Sequence, residues 1–327
     1  MKDRVLSGMQ ASGKLHLGNL VGALSNWVRL QDQYDCYYFV ADWHALTTMY
    51  SDPSFIREST KDILINFLAA GLDPERCTIF LQSKIPEHAE LHLLLSMITP
   101  LGWLERVPTY KEKQQELKEK DLSTYGFLGY PLLQTADILI YRAKYVPVGI
   151  DQVPHLEISR EIARRFNYLY RETFPEPEAL LTEFAKVVGV DGRKMSKSYD
   201  NAIFLSDSPE AVQQKIMTMM TDPARVKRTD PGNPELSPVY QLHKVFSSKK
   251  EIEEVGTGCA TAGIGCIDCK KILLKNIFTV LDPIWKKRND LIANPDVLHD
   301  IVKKGTDKAK KSVEETMQLV RDAMGLY

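Results

Sequence analysis

The stretch "DGRKMSKSYDNAI", Asp191 to Ile203, gathers lysines, serines and a glycine into a run with neither helical nor strand periodicity. A lysine ammonium is a mobile point charge with three donors, so Lys194 and Lys197, with Met195, Ser196 and Ser198 among them, suit contact with phosphate oxygens. A second candidate lies near the start of the chain. In "SGMQASGKLHLGN", Gly8, Gly13 and Gly18 surround Gln10, Ala11, Ser12, Lys14, His16 and Asn19 at the start of an expected helix. Glycine permits close backbone approach, uncapped N–H groups attract anionic oxygens, and imidazole and amide groups can donate to phosphate or ribose. The spacing is neither the dinucleotide fingerprint nor the P-loop pattern. Taken singly, one run reads equally as a solvated loop and the other as a capped glycine turn. Together they offer donors from two directions to a phosphoryl group on which charge develops as a leaving group departs.

Other residues suit a small ligand or a metal. Asp137, in "QTADILIY", is either an acceptor inside an apolar pocket or a carboxylate on a helix surface or cap. Val146 and Val148 alternate in "YVPVG", so they share one face of a short strand and can wall a planar ring. Asp151 and Gln152 follow Gly149 at a helix start, where they can hold an amino group or a ribose, or simply cap the helix. His44 sits at the end of the apolar run in "ADWHALT", beside Trp43, which reads as packing. Lys111 and Lys113 are nucleotide-contact candidates in a highly charged segment that otherwise reads as a surface helix. Cys259, Cys266 and Cys269 form C-x6-C-x2-C in "EVGTGCATAGIGCIDCKK". The final C-x2-C is half of many zinc and iron–sulfur sites, but three ligands are not four. A cluster with a nonstandard fourth ligand, a zinc ion with His243, and a cysteine loop without metal all stay open.

The elements that must position these groups alternate. "RVLSG" reads as a strand leading through the glycine turn into a helix, "DCYYFVADWHALT" as a strand covered on both faces, and "SFIRESTKDILINFLAAGLD" as a helix closed by Gly71. "CTIFLQS" is a further buried strand and "PEHAELHLLLSMIT" a helix; "GYPLLQTADILIY", "YVPVG" and the segment from Gln152 repeat the helix–strand–helix pattern. Such alternation argues for an α/β fold with a mostly parallel sheet. From Ser208 onward only helices are expected, in "SPEAVQQKIMTMM", "PVYQLHKVFS" and "CKKILLKNIFTVLDPIWKKRNDLIAN", with a last one in "SVEETMQLVRDAMGLY".

Composition bounds the function. The chain has 327 residues, enough for two domains, and its 42 basic and 43 acidic residues exclude a protein that grips nucleic acid by bulk charge. A polyanionic partner must be met locally. No apolar run approaches the roughly 18 residues of a membrane span and the start lacks a signal-peptide core, so a soluble cytoplasmic protein with no membrane partner is expected. Five cysteines suit a reduced compartment better than a disulfide framework.

The succession "GMQASGKLHLGN", "ADWHALT", "YPLLQTADILIY", "VPVGIDQVPHLEISR" and "KMSKS" resembles the tryptophanyl-tRNA synthetase family of class I aminoacyl-tRNA synthetases along essentially the whole chain. The usual first signature ends in His where this chain has Asn19. The resemblance implies an ATP-dependent ligase using Mg²⁺: the carboxylate of L-tryptophan attacks the α-phosphorus, pyrophosphate leaves, and tryptophan passes from AMP to the terminal ribose of tRNA(Trp). It implies that Gln10 lies near the reacting carboxylate and α-phosphate. His16 and Asn19, with Ala11, Ser12 and Gly18, would face phosphate and ribose; Lys194 and Lys197, with Met195, Ser196 and Ser198, would meet pyrophosphate; Asp151 would bind the ribose. Asp137 would accept the indole N–H, with Ile138, His44, Val146, Val148 and Gln134 around the amino acid and Gln152 on its ammonium. Gln134 stands where bacterial relatives often have methionine, making that part of the pocket more polar.

The family also implies a homodimer with each tRNA touching both subunits. The domains would be a Rossmann-like catalytic domain over 1–204, a helical anticodon-binding domain over 205–300, and a C-terminal helix over 301–327 returning to the first. Some relatives carry a [4Fe-4S] cluster with an extra upstream cysteine near "GNPELSPVY", where this chain has Leu236 and Ser237. The cysteine trio would then shape the anticodon-contacting surface. A tyrosine-tRNA ligase, a related nucleotidylyltransferase and a catalytically silent tRNA- or nucleotide-binding module are the alternatives; "ADWHAL" and the valine pair favour tryptophan, and pyrophosphate exchange separates ligase from binder.

Overall fold

The computed structural model describes residues 2–108, 122–181, 187–222, 225 and 227–326. Strands β1 (Arg4–Gln10), β2 (Asp35–Ala41), β3 (Cys77–Leu81), β4 (Tyr145–Val148) and β5 (Glu178–Leu181) form one parallel sheet in the order β3-β2-β1-β4-β5. β1 and β2 run in register from Arg4 opposite Asp35 to Gln10 opposite Ala41. Parallel strands covered on both faces need apolar residues on both. Leu6, Tyr37, Phe39, Phe80, Val146 and Val148 accordingly belong to one buried cluster, and Val5, Cys36, Tyr38, Val40, Cys77 and Ile79 to another.

The helices used below are α1 (Ser25–Leu30), α2 (Asp42–Met49), α3 (Ile56–Ala69), α4 (Glu87–Ser96), α5 (Tyr130–Ile140), α6 (Val153–Leu169), α7 (Pro209–Thr218), α8 (Pro238–Phe246), α9 (Lys249–Ala260), α10 (Cys266–Ala293) and α11 (Pro295–Met324). Trp27 of α1, Phe67 of α3, Ile216 of α7, Leu242 of α8 and Leu281 of α10 join the Val5 cluster. Leu95 of α4, Leu139 of α5, Phe166 of α6 and Met317 of α11 join the Leu6 cluster. The last helix thus returns from the tail to the sheet. At Gly305 its backbone lies so close to β3 that an added Cβ would sit 1.9 Å from the Ile79 carbonyl oxygen. Among the described residues, no helix is long and apolar enough to cross a membrane.

Several expectations change. The run "DCYYFVADWHALT" is strand only to Ala41 and helix from Asp42, where the Gln82 amide oxygen, reaching over from the end of β3, accepts from the N–H groups of Trp43 (3.1 Å) and His44 (3.4 Å), and the Asp42 carboxylate also accepts from Trp43 (3.1 Å). β5 is an additional strand; it is short and half-exposed, so it carries little of the apolar signature of a covered strand. The cysteine segment is not one loop: Cys259 lies in the last turn of α9, Cys266 opens α10, and Cys269 follows one turn on. The final helix begins at Pro295, well before Ser312.

Candidate active site

The strand order reverses between β1 and β4, and in such sheets the crevice beyond the carboxyl ends of the strands at that point is where ligands settle. The glycine turn after β1 and the lysine run meet there. Beyond Gln10 the chain turns at Gly13, whose φ of +110° favours glycine, and enters a helical turn at Leu17–Asn19 capped by His16. The His16 Nδ1 accepts from the Asn19 N–H at 3.3 Å, while the Asn19 side-chain oxygen accepts from the His16 N–H at 3.0 Å. A Cβ on Gly18 would meet the His16 ring at 2.9 Å, which is why the imidazole can fold over that position. The helix then continues through a π-helical turn, Leu20–Leu24, before α1.

The lysine run crosses to this turn. Leu17 N–H donates to the Ile203 carbonyl (3.0 Å) and Leu205 N–H to the Leu15 carbonyl (2.8 Å), so the segment after the loop is tied to the glycine turn. Trp285 of α10 donates its indole N–H to the Leu205 carbonyl at 3.1 Å. Within the loop, buried Asn201 accepts from the Ser196 N–H (2.8 Å) and donates to the Asp191 carboxylate (2.7 Å) and the Lys194 carbonyl (3.1 Å). Met195 packs inward, while the Ser196 and Ser198 hydroxyls pair at 2.9 Å. Lys197 reaches the carbonyls of Ser12 (3.3 Å) and Gly13 (3.1 Å); Lys194 stays exposed.

Electrostatics mark this junction. Burial, then the charges of Lys197 and Lys194, push the His16 imidazole down to about 4. Burial brings the Lys197 ammonium down to about 8, against a smaller upward pull from Asp62. An anionic group entering between them would favour the charged lysine and offset the cost of its desolvation.

The second part of the site is buried. Gln10 donates to the His44 carbonyl at 2.9 Å, linking the turn to α2. His44 Nε2 donates to Asp137 at 2.9 Å, His88 Nδ1 donates to it at 2.6 Å, and the Gln82 amide donates to both of its oxygens at 2.9 Å. Burial by itself would raise the Asp137 carboxyl, but the hydrogen bonds from His44 and His88 outweigh it and hold it at about 2. Asp137 is thus a buried carboxylate and not a surface one: it is 2% exposed. It is an ionised acceptor whose two oxygens face three donors, two imidazoles and an amide.

Ile138, Val146 and Val148 are buried in the cluster on the same face of the sheet as α5. Gln134 is half-buried on α5, and Gln152 stands immediately before α6. Asp151 belongs to the one-turn helix Ile150–Gln152 beyond β4. Lys111 and Lys113 lie outside the described residues. Four residues of the constellation are absent from the sequence reading: Gln82, His88, Tyr141 and Asn201. Gln82 had a signal, because it follows the buried strand β3 at its carboxyl end. His88 and Tyr141 look like any polar residue on an apolar helix until the fold brings them together.

The three cysteines line a pocket with Thr221, Asp222, Arg225 and Ser237. Their donor set does not fit a four-ligand metal or cluster. Leu236 is 61% exposed, and both ring nitrogens of His243 are engaged, Nδ1 with the Ser247 hydroxyl at 2.7 Å and Nε2 with the Cys269 carbonyl at 3.1 Å. The buried Arg225 guanidinium occupies the same pocket and donates to the carbonyls of Arg228 (2.9 Å) and Ile264 (2.7 Å). Among the described residues no three His, Cys, Asp or Glu side chains are grouped to hold a metal ion.

The chain is similar to known proteins along essentially its whole length. The family model described as tRNA synthetases class I (W and Y) matches residues 2–282. A tryptophan–tRNA ligase of Thermotoga maritima is 58% identical over 325 residues, covering 99% of each chain. One from Ralstonia nicotianae is 48% identical, covering 99% of this chain and 98% of its own. The crystal structure of the tryptophanyl-tRNA synthetase of Campylobacter jejuni, complexed with ADP and tryptophan, superposes with a TM-score of 0.90 at 35% identity, covering 99% of this chain and all of the other.

Proposed function

The chain belongs to the class I tRNA synthetases for tryptophan and tyrosine, and on that premise we propose how its residues carry out the work of a tryptophan–tRNA ligase. The reaction activates L-tryptophan with ATP, taken as its Mg²⁺ complex, to tryptophanyl-AMP and pyrophosphate, and then transfers tryptophan to tRNA(Trp). The full-length likeness to tryptophan enzymes, rather than tyrosine ones, supports this over the tyrosine reading.

The observation that carries the assignment is the docking of Lys197 on the Ser12 and Gly13 carbonyls beside His16, next to a Gln10 side chain hydrogen-bonded to the backbone of His44. One nucleotide can therefore be met by the glycine turn and the lysine loop while its α-phosphate lies toward the pocket that holds Asp137. Ala11, Ser12, Gly18 and Asn19 supply the turn; Lys194, Met195, Ser196, Lys197 and Ser198 supply the loop; Asp151 serves the ribose. No enzyme nucleophile is needed, because the tryptophan carboxylate itself attacks phosphorus. The protein's part is positioning and stabilisation of developing charge. Asp137 accepts the indole N–H, Gln152 takes the ammonium, and His44, Gln134, Ile138, Val146 and Val148 bound the ring.

The tail helices within 205–300 form the proposed tRNA-contacting unit, and α11 ties it back to the catalytic part over 1–204. For a homodimer, exposed apolar side chains on and just after α4 offer contact area: Leu93, Met97 and Leu101 are each more than half exposed, as is Tyr125, which meets His92 of α4 edge-on. No step runs through an iron–sulfur cluster or zinc.

Tryptophan-dependent exchange of pyrophosphate into ATP tests the reading. Exchange with tryptophan and not with tyrosine is expected. Folded, ATP-binding protein that exchanges with neither would refute it.

A further inference from the structure

Asp137 has more donors than a waiting acceptor needs. An ionised carboxylate offers about four lone-pair positions, and His44, His88 and the Gln82 amide, which spans both oxygens, already point at them. A ring N–H can reach Asp137 only if one of these donors gives way. They differ in access: His88 and Gln82 are 0% exposed, whereas the His44 side chain is 14% exposed.

His88 is also fixed from behind. Its Nδ1 faces a carboxylate and must donate, which leaves Nε2 to accept from the Tyr141 hydroxyl at 2.9 Å. Tyr141 is fully buried, and burial together with the Asp137 charge raises its phenol well above the ordinary value, so it stays a donor. Asp137 and Tyr141 lie one turn apart at the end of α5, and His88 of α4 closes the loop between them. Phe39 and Phe80 pack against the imidazole, at 6.1 and 6.4 Å between ring centroids.

Resting on the assignment of Asp137 as the indole acceptor, we propose that His88, locked by Tyr141, is a positioning residue for tryptophan recognition: it keeps Asp137 aimed into the pocket while His44 yields its place to the indole N–H. His44 is then a placeholder that satisfies the carboxylate until the indole N–H takes its position. His88 touches neither substrate. Its effect is confined to how well the site distinguishes a ring bearing an N–H from one that does not.

The test is a ratio. Pyrophosphate exchange is measured with tryptophan and with β-(benzothiophen-3-yl)alanine, in which sulfur replaces the ring N–H, and the two kcat/KM values are divided. For His88→Ala the preference for tryptophan should fall about tenfold or more, chiefly through KM for tryptophan, with the analogue changed less than about twofold. His88→Asn, whose amide can donate from near the Nδ1 position, should keep most of the preference. Tyr141→Phe retains the imidazole and should lose part of it; it carries the test if His88→Ala does not fold. Equal losses for both substrates would make His88 merely structural and overturn the proposal. So would an unchanged ratio in the His88 and Tyr141 variants alongside a collapsed ratio in Asp137→Asn. An unchanged ratio in Asp137→Asn itself would instead refute the assignment of the acceptor, and the proposal with it.

Discussion

The two halves of the site are built in opposite ways. The phosphate half is assembled at the surface from backbone: residues 12–19 and 187–205 meet through main-chain hydrogen bonds, one lysine rests on two carbonyls, and the other lysine is exposed. The ring half is assembled in the interior from side chains of α2, α4 and α5 and the end of β3, all converging on one carboxylate. A triphosphate must enter and pyrophosphate must leave, so its donors have to move. An indole is told apart by one N–H, and an acceptor discriminates only if it is held still and kept dry. On the proposed reading, turnover asks mobility of one half and selection asks rigidity of the other.

That contrast can be broken most forcefully at Lys197. Lys197→Ala should lower kcat/KM for ATP in pyrophosphate exchange by about a hundredfold, the usual scale for losing one donor to developing charge. Tryptophan affinity measured calorimetrically without ATP should change less than about twofold. Equal losses in the two would mean that the halves are not separate.

Asp137→Asn is the converse. It removes the charge that His44 and His88 donate to, and it should raise KM for tryptophan about tenfold or more while leaving KM for ATP nearly unchanged. A matching rise in KM for ATP would show that the carboxylate also supports the nucleotide.

Proton linkage sharpens the difference. Lys197, near 8, is charged below that pH and neutral above it, so kcat/KM for ATP should fall as pH rises through about 8, approaching about tenfold per further unit. Asp137, at about 2, stays ionised across the working range, so kcat/KM for tryptophan at saturating ATP should be flat between about pH 5 and 8. Lys197→Arg, which remains charged, should remove the alkaline fall.

The smallest effect concerns the loop's internal tie. Asn201→Ala removes the acceptor of Ser196 and the donors to Asp191 and Lys194, and should raise KM for ATP about threefold by loosening the loop, with tryptophan affinity unaltered. A comparable loss in tryptophan affinity would show that the loop braces the pocket as well.

Much of this architecture is legible in the residues. Gly13, Gly18 and His16 mark the turn because a close backbone approach and a capping imidazole have local requirements, and the apolar runs of β1, β2 and β3 follow from a sheet covered on both faces. Local rules fail where a distant group finishes an element. The first turn of the "DWHAL" helix is capped by Gln82 from the end of β3, and nothing near Asp42 announces that partner. The cysteine spacing leaves a cluster, a zinc ion and a loop without metal open; in the fold the three thiols do line one pocket, but they come from two helices and share it with a buried arginine.

The amino-acid sequence by itself determined the alternation of strands and helices, the glycine turn and the lysine run, because these depend on periodicity and on conformations each residue carries with it. Tertiary structure alone decided that the loop would lie against the turn and that Asp137 would face inward to two histidines and a glutamine. Those contacts join residues 49 to 185 positions apart, and no local preference of a carboxylate or a lysine distinguishes water from a partner that folding has yet to bring near.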